Sequence, residues 1–169
     1  MRAAGLGMIF LSFLLMGLNA VLEKKTRLRG MCELADMLEL FRGELELRAL
    51  PLPDLIRGLL PESRGLGARL LFHLNEKMEL LGDEPFSRIW SCAADKCCAM
   101  LPGTELEELK SLGMLLGRVE LEQQLLALDR CCARLRRRIE EERQALPVRS
   151  RLILALSAAA GALLLILLN

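Results

Sequence analysis

Apolar residues in the last third of the chain recur at alternating steps of four and three. Leu121, Leu125, Leu128, Cys132, Leu135, Ile139 and Leu146 form the seam, and only Glu142 breaks it. That period lays one apolar stripe along a helix and predicts packing against a second helix. The long arm is predicted over 119–146. Beyond Pro147 and Val148-Arg149-Ser150-Arg151, residues Leu152 to Leu168 include no charged side chain. At roughly 1.5 Å rise per residue, such a run suits a bilayer core of about 30 Å. A C-terminal transmembrane segment is therefore expected at 152–169.

A second apolar run, Ala3 to Leu22, is interrupted only by Ser12 and Asn19. It predicts an N-terminal transmembrane segment at 1–22. A cleaved signal peptide is the alternative, with Arg2 ahead of the apolar core and Ala20 at the cleavage position. Against it, the core is long and Leu18-Asn19-Ala20 is a poor small-x-small site. Lys24, Lys25, Arg27 and Arg29 follow the first run, and Arg143, Arg149 and Arg151 precede the second. Basic residues mark the cytoplasmic side. The expectation is a multi-pass membrane protein whose central region, 23–151, is cytoplasmic and whose termini lie outside.

The central region reads as a compact all-α bundle of about six helices, flanked by the two membrane helices. Leu28, Met31, Leu34, Leu38, Phe41 and Leu45 place a helix over 24–49, with charge on its other face. Its seam resembles that of the long arm, so the two should pair. Pro51 and Pro53 end it, and Pro53 opens a short helix, Asp54 to Leu60, closed by Pro61. Gly65 and Gly67 loosen the entry of a helix over 66–81 with Leu66, Leu70, Leu74, Met78 and Leu81 on one face, and Gly82 suits its exit. Asp83 is predicted to cap the next helix, with Pro85 in its first turn. That helix carries Phe86, Ile89, Trp90, Ala93, Cys97 and Met100. Thr104-Glu105-Leu106-Glu107 has the form of a capping box, opening a helix with Leu106, Leu109 and Leu112 that runs to Gly113. Gly117 makes the turn into the long arm.

Composition removes several function classes. The chain has 23 basic and 22 acidic residues, so no global field favours nucleic acid. Tyr is absent and aromatics are 4%, too few for stacking platforms along a single strand. No phosphate-binding loop is present. His73 is the sole histidine, expected as a surface or half-buried packing residue, so a Ser-His or Cys-His couple has little material. Cys92, Cys97, Cys98, Cys131 and Cys132 raise the question of zinc, whose structural sites usually show C-x₂₋₄-C pairs. Adjacent cysteines on a helix point about 100° apart and cannot easily serve one ion, so these read as small apolar packing residues. No catalytic residue, cofactor, metal or small-molecule substrate is expected. Arg134, Arg136, Arg137 and Arg138, with Glu140, Glu141 and Glu142, read as a solvated face; a docking strip for a charged partner is the alternative.

The stretch Leu116-Gly117-Arg118-Val119-Glu120-Leu121-Glu122-Gln123-Gln124 resembles the stage III sporulation protein AB family of endospore-forming bacteria. That family has a Leu-Gly turn, an acid shortly after, and a Gln opening the last long helix before a C-terminal membrane segment. Leu50 to Pro53 and Trp90 also match, and the resemblance extends over the whole chain. Val119 departs from it, since the family often has Ser there; Val119 cannot cap the long helix, which leaves that role to another residue. The resemblance implies a helical cytoplasmic domain similar to that of the type II secretion platform protein F. It further implies a place in the secretion-like channel complex joining mother cell and forespore, as an adaptor between a cytoplasmic secretion-type ATPase and membrane components. Leu116, Gly117, Arg118, Glu120 and Gln124 are the candidate partner-binding or essential-turn residues. An envelope sensor that dimerises through the heptad seam is the competing function.

Overall fold

Three of the helices begin immediately after a proline. The computed structural model describes residues 2–48, 50–78 and 84–168, without side chains at 2–11, 13, 14, 149, 154, 157, 158 and 160–168. Six α-helices make up the described chain: α1 (Arg2–Arg48), α2 (Leu52–Leu59), α3 (Gly65–Lys77), α4 (Phe86–Cys97), α5 (Gly103–Leu115) and α6 (Leu121–Leu168). Pro51, Pro85 and Pro102 stand at the N-cap positions of α2, α4 and α5. A proline there has no N–H to leave unpaired, and its fixed φ directs the chain into the first turn. Its carbonyl still accepts: Pro51 O takes the N–H of Leu55 at 3.1 Å, and Pro102 O that of Leu106 at 3.0 Å.

These starts correct three sequence expectations. Pro85 is the N-cap of α4 rather than a first-turn residue. Thr104 does not close a capping box, because the helix has already begun at Gly103 and the Thr104 hydroxyl donates instead to Glu105 Oε2 at 2.6 Å. The short second helix opens at Leu52, two residues early. Leu81, Gly82 and Asp83 lie outside the described residues.

The flanking apolar runs are continuations of α1 and α6 rather than separate elements. Pro147 lies inside α6; the missing hydrogen bond and steric clash of such a proline cost about 3 kcal/mol, which this helix of 48 residues absorbs without ending. Among the described residues no helix is long and apolar enough to cross a membrane. Much of the two expected segments, 1–22 and 152–169, lies outside the residues with described side chains. The chain divides into two units, one of Arg29–Ile139 and one of Met1–Leu28 with Glu140–Asn169. In the second unit, Gly17 and Val21 are buried one turn apart.

The core of the first unit is apolar throughout: no polar or charged residue is buried among the described residues. The expected stripe of α1 is found at Met31, Leu34, Leu38, Phe41 and Leu45, and Ala35 and Met37 widen it. From α6, Leu128, Cys132, Leu135 and Ile139 are buried, whereas Leu121 is exposed. Leu34 and Leu38 of α1, Leu109 of α5 and Leu135 of α6 line one small gap, so the long helices do pair. Trp90 is fully buried. Its indole N–H donates to the Leu109 carbonyl at 2.6 Å, which meets the one polar demand of the ring. Phe41 meets Trp90 edge-on, at 6.3 Å between centroids and 72°.

The basic run of α6 is not simply solvated. Arg136 pairs with Asp36 at 2.9 Å and Glu39 at 2.8 Å on α1. Arg134 pairs with Glu108, and Arg138 with Glu105 at 3.3 Å, both on α5. Facing acids on two helices thus engage this strip while its side chains stay at the surface. At the start of α3, Gly65 adopts φ +53, and the Leu66 N–H donates to Glu33 Oε2 of α1 at 3.0 Å. Glu33 thus supplies from a distance the cap that the local sequence lacks.

Candidate functional site

The link between α5 and α6 is a tight type II turn. Leu116 has φ −60 and ψ 126, Gly117 has φ +73, and the Arg118 N–H donates to the Leu115 carbonyl at 3.1 Å. A type II turn requires positive φ at its third residue, which glycine adopts without steric cost. A Cβ on Gly117 would also come within 2.8 Å of Leu52 Cδ1. Leu116, 1% exposed, fixes the turn to the core.

Gln124 closes the turn from the first turn of α6. Its side-chain carbonyl accepts the Gly117 N–H at 3.1 Å, and its amide nitrogen donates to the Val119 carbonyl at 2.7 Å. Glu120 occupies the N-cap position, and its carbonyl takes the N–H groups of Gln123 at 3.0 Å and Gln124 at 3.1 Å. Val119 lies one residue before the N-cap, and its carbonyl is tied down by Gln124 rather than its side chain being asked to cap. The five candidate residues therefore divide in two. Leu116, Gly117 and Gln124 build the turn, while Arg118 and Glu120 are exposed and make no ion pair among the described residues.

Beside the turn, α5 and α6 enclose an open cleft of about 200 Å³, lined by Glu108, Ser111, Leu115, Ala127, Arg130 and Arg134 among others. Leu115 is 40% exposed and Leu126 50%. Sequence reasoning passed over this cleft, since Ser111, Leu115, Ala127 and Arg130 fall outside the stripes that build the core. Cys131, also in its wall, has its thiol pushed up to about 12 by burial and by neighbouring Cys132, so it is a poor nucleophile at neutral pH. Cys98 is likewise raised to about 12, chiefly by burial. Among the described residues no group of three His, Cys, Asp or Glu side chains is placed to hold a metal ion. His73 is half-buried, with Nδ1 3.1 Å from Glu76 Oε2.

The pattern of stage III sporulation protein AB matches residues 2–169. The chain belongs to the stage III sporulation protein AB family. A solved structure of stage III sporulation protein AB has the same fold, with TM-score 0.63 at 18% identity, covering 72% of this chain and 97% of the other. No curated protein matches. Gln124 holds the Leu-Gly turn through its two side-chain hydrogen bonds.

Proposed function

We propose that this chain is a membrane-anchored, non-catalytic scaffold acting in sporulation, an adaptor in a secretion-like channel complex between mother cell and forespore. In this reading it links a cytoplasmic secretion-type ATPase to membrane components, and Arg118 and Glu120 contact a partner. The observation that carries it is the occupation of the α6 seam within the chain. Leu128, Cys132, Leu135 and Ile139 are buried, and Arg136 and Asp129 pair with acids and Arg42 of α1. A seam filled in this way is not free to dimerise, which disfavours the envelope-sensor alternative. The wholly apolar core offers no buried acid or base for chemistry among the described residues.

Membrane attachment rests on the two uncharged runs and on their exposed apolar side chains. Leu15, Met16, Leu18 and Leu22 of α1, with Leu152 and Leu156 of α6, are all more than 45% exposed. Hydrocarbon would cover such a surface at about 25 cal/mol per Å². Resistance of the protein to alkaline carbonate extraction, with both termini reachable by protease from outside, is the expected result.

The adaptor role is tested by charge reversal at the two exposed positions. Arg118→Glu with Glu120→Arg leaves the turn's hydrogen bonds intact, since none uses either side chain. In sporulating cells this double variant should be produced normally, lose co-isolation with the secretion-type ATPase and reduce spore formation. Normal co-isolation and normal sporulation would remove the turn from the interface.

A further inference from the structure

We propose that the hollow between the outer face of α3 and the end of α4 docks an acidic amphipathic helix of a partner protein. The hollow measures about 640 Å³ and is lined by Leu60, Ala68 and Phe72, with Cys97, Arg69 and Lys96. Phe72 is 55% exposed, a large aromatic ring held at the surface of a chain that otherwise buries its Trp. Leu60, Ala68 and Cys97 are half-buried around it. The Cys97 thiol donates to the Arg69 carbonyl at 3.6 Å, a contact between the end of α4 and α3 in the lining of the hollow.

Charge selects the occupant. Arg69 and Lys96 are exposed and make no ion pair among the described residues. By contrast Arg42, Lys110, Arg134, Arg136 and Arg138 each pair with an acid on another helix. Two uncommitted cations beside an exposed ring suit an apolar anchor flanked by carboxylates, the usual form of a helix seated in a groove. A bilayer surface fits less well. Anionic lipid is gripped by clusters of about four to eight basic residues, whereas this hollow has two, is concave, and carries Glu76 on its wall. The hollow shares no residue with the Leu116–Gln124 turn, so this docking surface stands apart from the adaptor contact proposed above.

The test uses the full chain in phosphatidylcholine nanodiscs and fluorescein-labelled synthetic helices, read by anisotropy against empty nanodiscs. One helix has a Leu stripe flanked by Glu, a second has Lys in place of Glu, and a third has Ser in place of Leu. The acidic helix should bind saturably, and both other helices about tenfold or more weakly. Phe72→Ala, and separately Arg69→Glu with Lys96→Glu, should each weaken the acidic helix by a similar factor. The charge-reversed variant should also gain affinity for the Lys helix. Binding that ignores all these changes overturns the proposal. So does a pair of variants that lose phosphatidylglycerol-vesicle binding instead, which would make the surface a lipid contact. Altered sedimentation of the variants would make the occupant a second copy and overturn it equally. Thermal unfolding of each variant verifies its fold, and the charge reversal alters only exposed positions. Failure of the helix titration leaves the Arg118 and Glu120 contact as it stands.

Discussion

Gly113 of α5 lies so close to the indole of Trp90 that a methyl group on its Cα would overlap the ring. Helix propensity alone makes Gly→Ala favourable by about 1 kcal/mol in a helix interior. Overpacking against a buried ring costs about 1–3 kcal/mol, sometimes more. The clash wins, so Gly113→Ala should lower stability by about 1 kcal/mol or more, read as a fall in the thermal midpoint. Gly43 of α1 provides the opposite case, since nothing lies within 4 Å of its added Cβ. Gly43→Ala should raise the midpoint.

The turn before α6 should answer to its two glycine constraints. An L-residue in the left-handed region costs about 1–2 kcal/mol, and Leu52 adds a contact at 2.8 Å. Gly117→Ala should therefore destabilise by about 2 kcal/mol or more in chemical denaturation. Gln124→Ala removes two hydrogen bonds on a partly solvated turn and should cost about 1 kcal/mol. Gln124→Glu keeps the acceptor toward Gly117 and loses the donor to Val119, so it should fall between the two alleles.

Arg136 joins α6 to α1 through Asp36 and Glu39, and the guanidinium holds the Glu39 carboxyl below its ordinary value of 4.5. Arg136 is raised in turn. With the folded value depressed, the stabilisation is complete above the ordinary carboxylate value and disappears as pH falls through the folded one. Both partners are partly exposed, so the pair contributes about 1 kcal/mol or less. Arg136→Ala should lower the thermal midpoint at pH 7 in low salt. The difference from wild type should shrink at pH 3 and at high salt; an equal difference in all conditions would assign the loss to packing.

Three thiols, two of them buried and that of Cys131 half-buried, give the alkaline limb. Cys98 and Cys131 are raised to about 12 and Cys132 to about 11, against an ordinary 9.0. Values raised in the folded state leave stability complete below 9.0 and drain it as pH climbs toward about 12, because the unfolded thiols ionise first. Roughly 1 kcal/mol per thiol should be lost at pH 10. Cys98→Ala should flatten that limb in a denaturation series between pH 7 and 10. Cys92, which is exposed, should react first with a thiol reagent in the folded protein, while Cys98 and Cys132 wait for unfolding.

Periodic segments were legible in the sequence, and places where two elements meet were not. The α1 stripe from Met31 to Leu45 and the α6 stripe from Leu128 to Ile139 follow from spacing alone. Met37 was missed because its burial comes from Gly67 of α3 resting against it, a contact no local pattern carries. Thr104 and Glu107 had the form of a cap, yet the rigid Pro102 beside them had already set where the helix begins. The basic run on α6 looked solvated because its acids, Asp36, Glu39, Glu105 and Glu108, are distant in sequence. At the turn, Gly117 was readable as a positive-φ residue. The role of Gln124 as its clasp depends on geometry seven residues away.

Glu33 carries an implication for the order in which the protein comes together. One backbone donor in the first turn of α3, the Leu66 N–H, is met by a carboxylate that sits 33 residues upstream, and Gly65 leaves room for it by having no side chain. An excised peptide covering α3 would lack that acceptor and fray at its leading end. Only when α1 is already laid alongside can α3 take its full length, so the two helices should appear and melt as one cooperative step. Hydrogen exchange at Leu66 would then report on the intactness of α1.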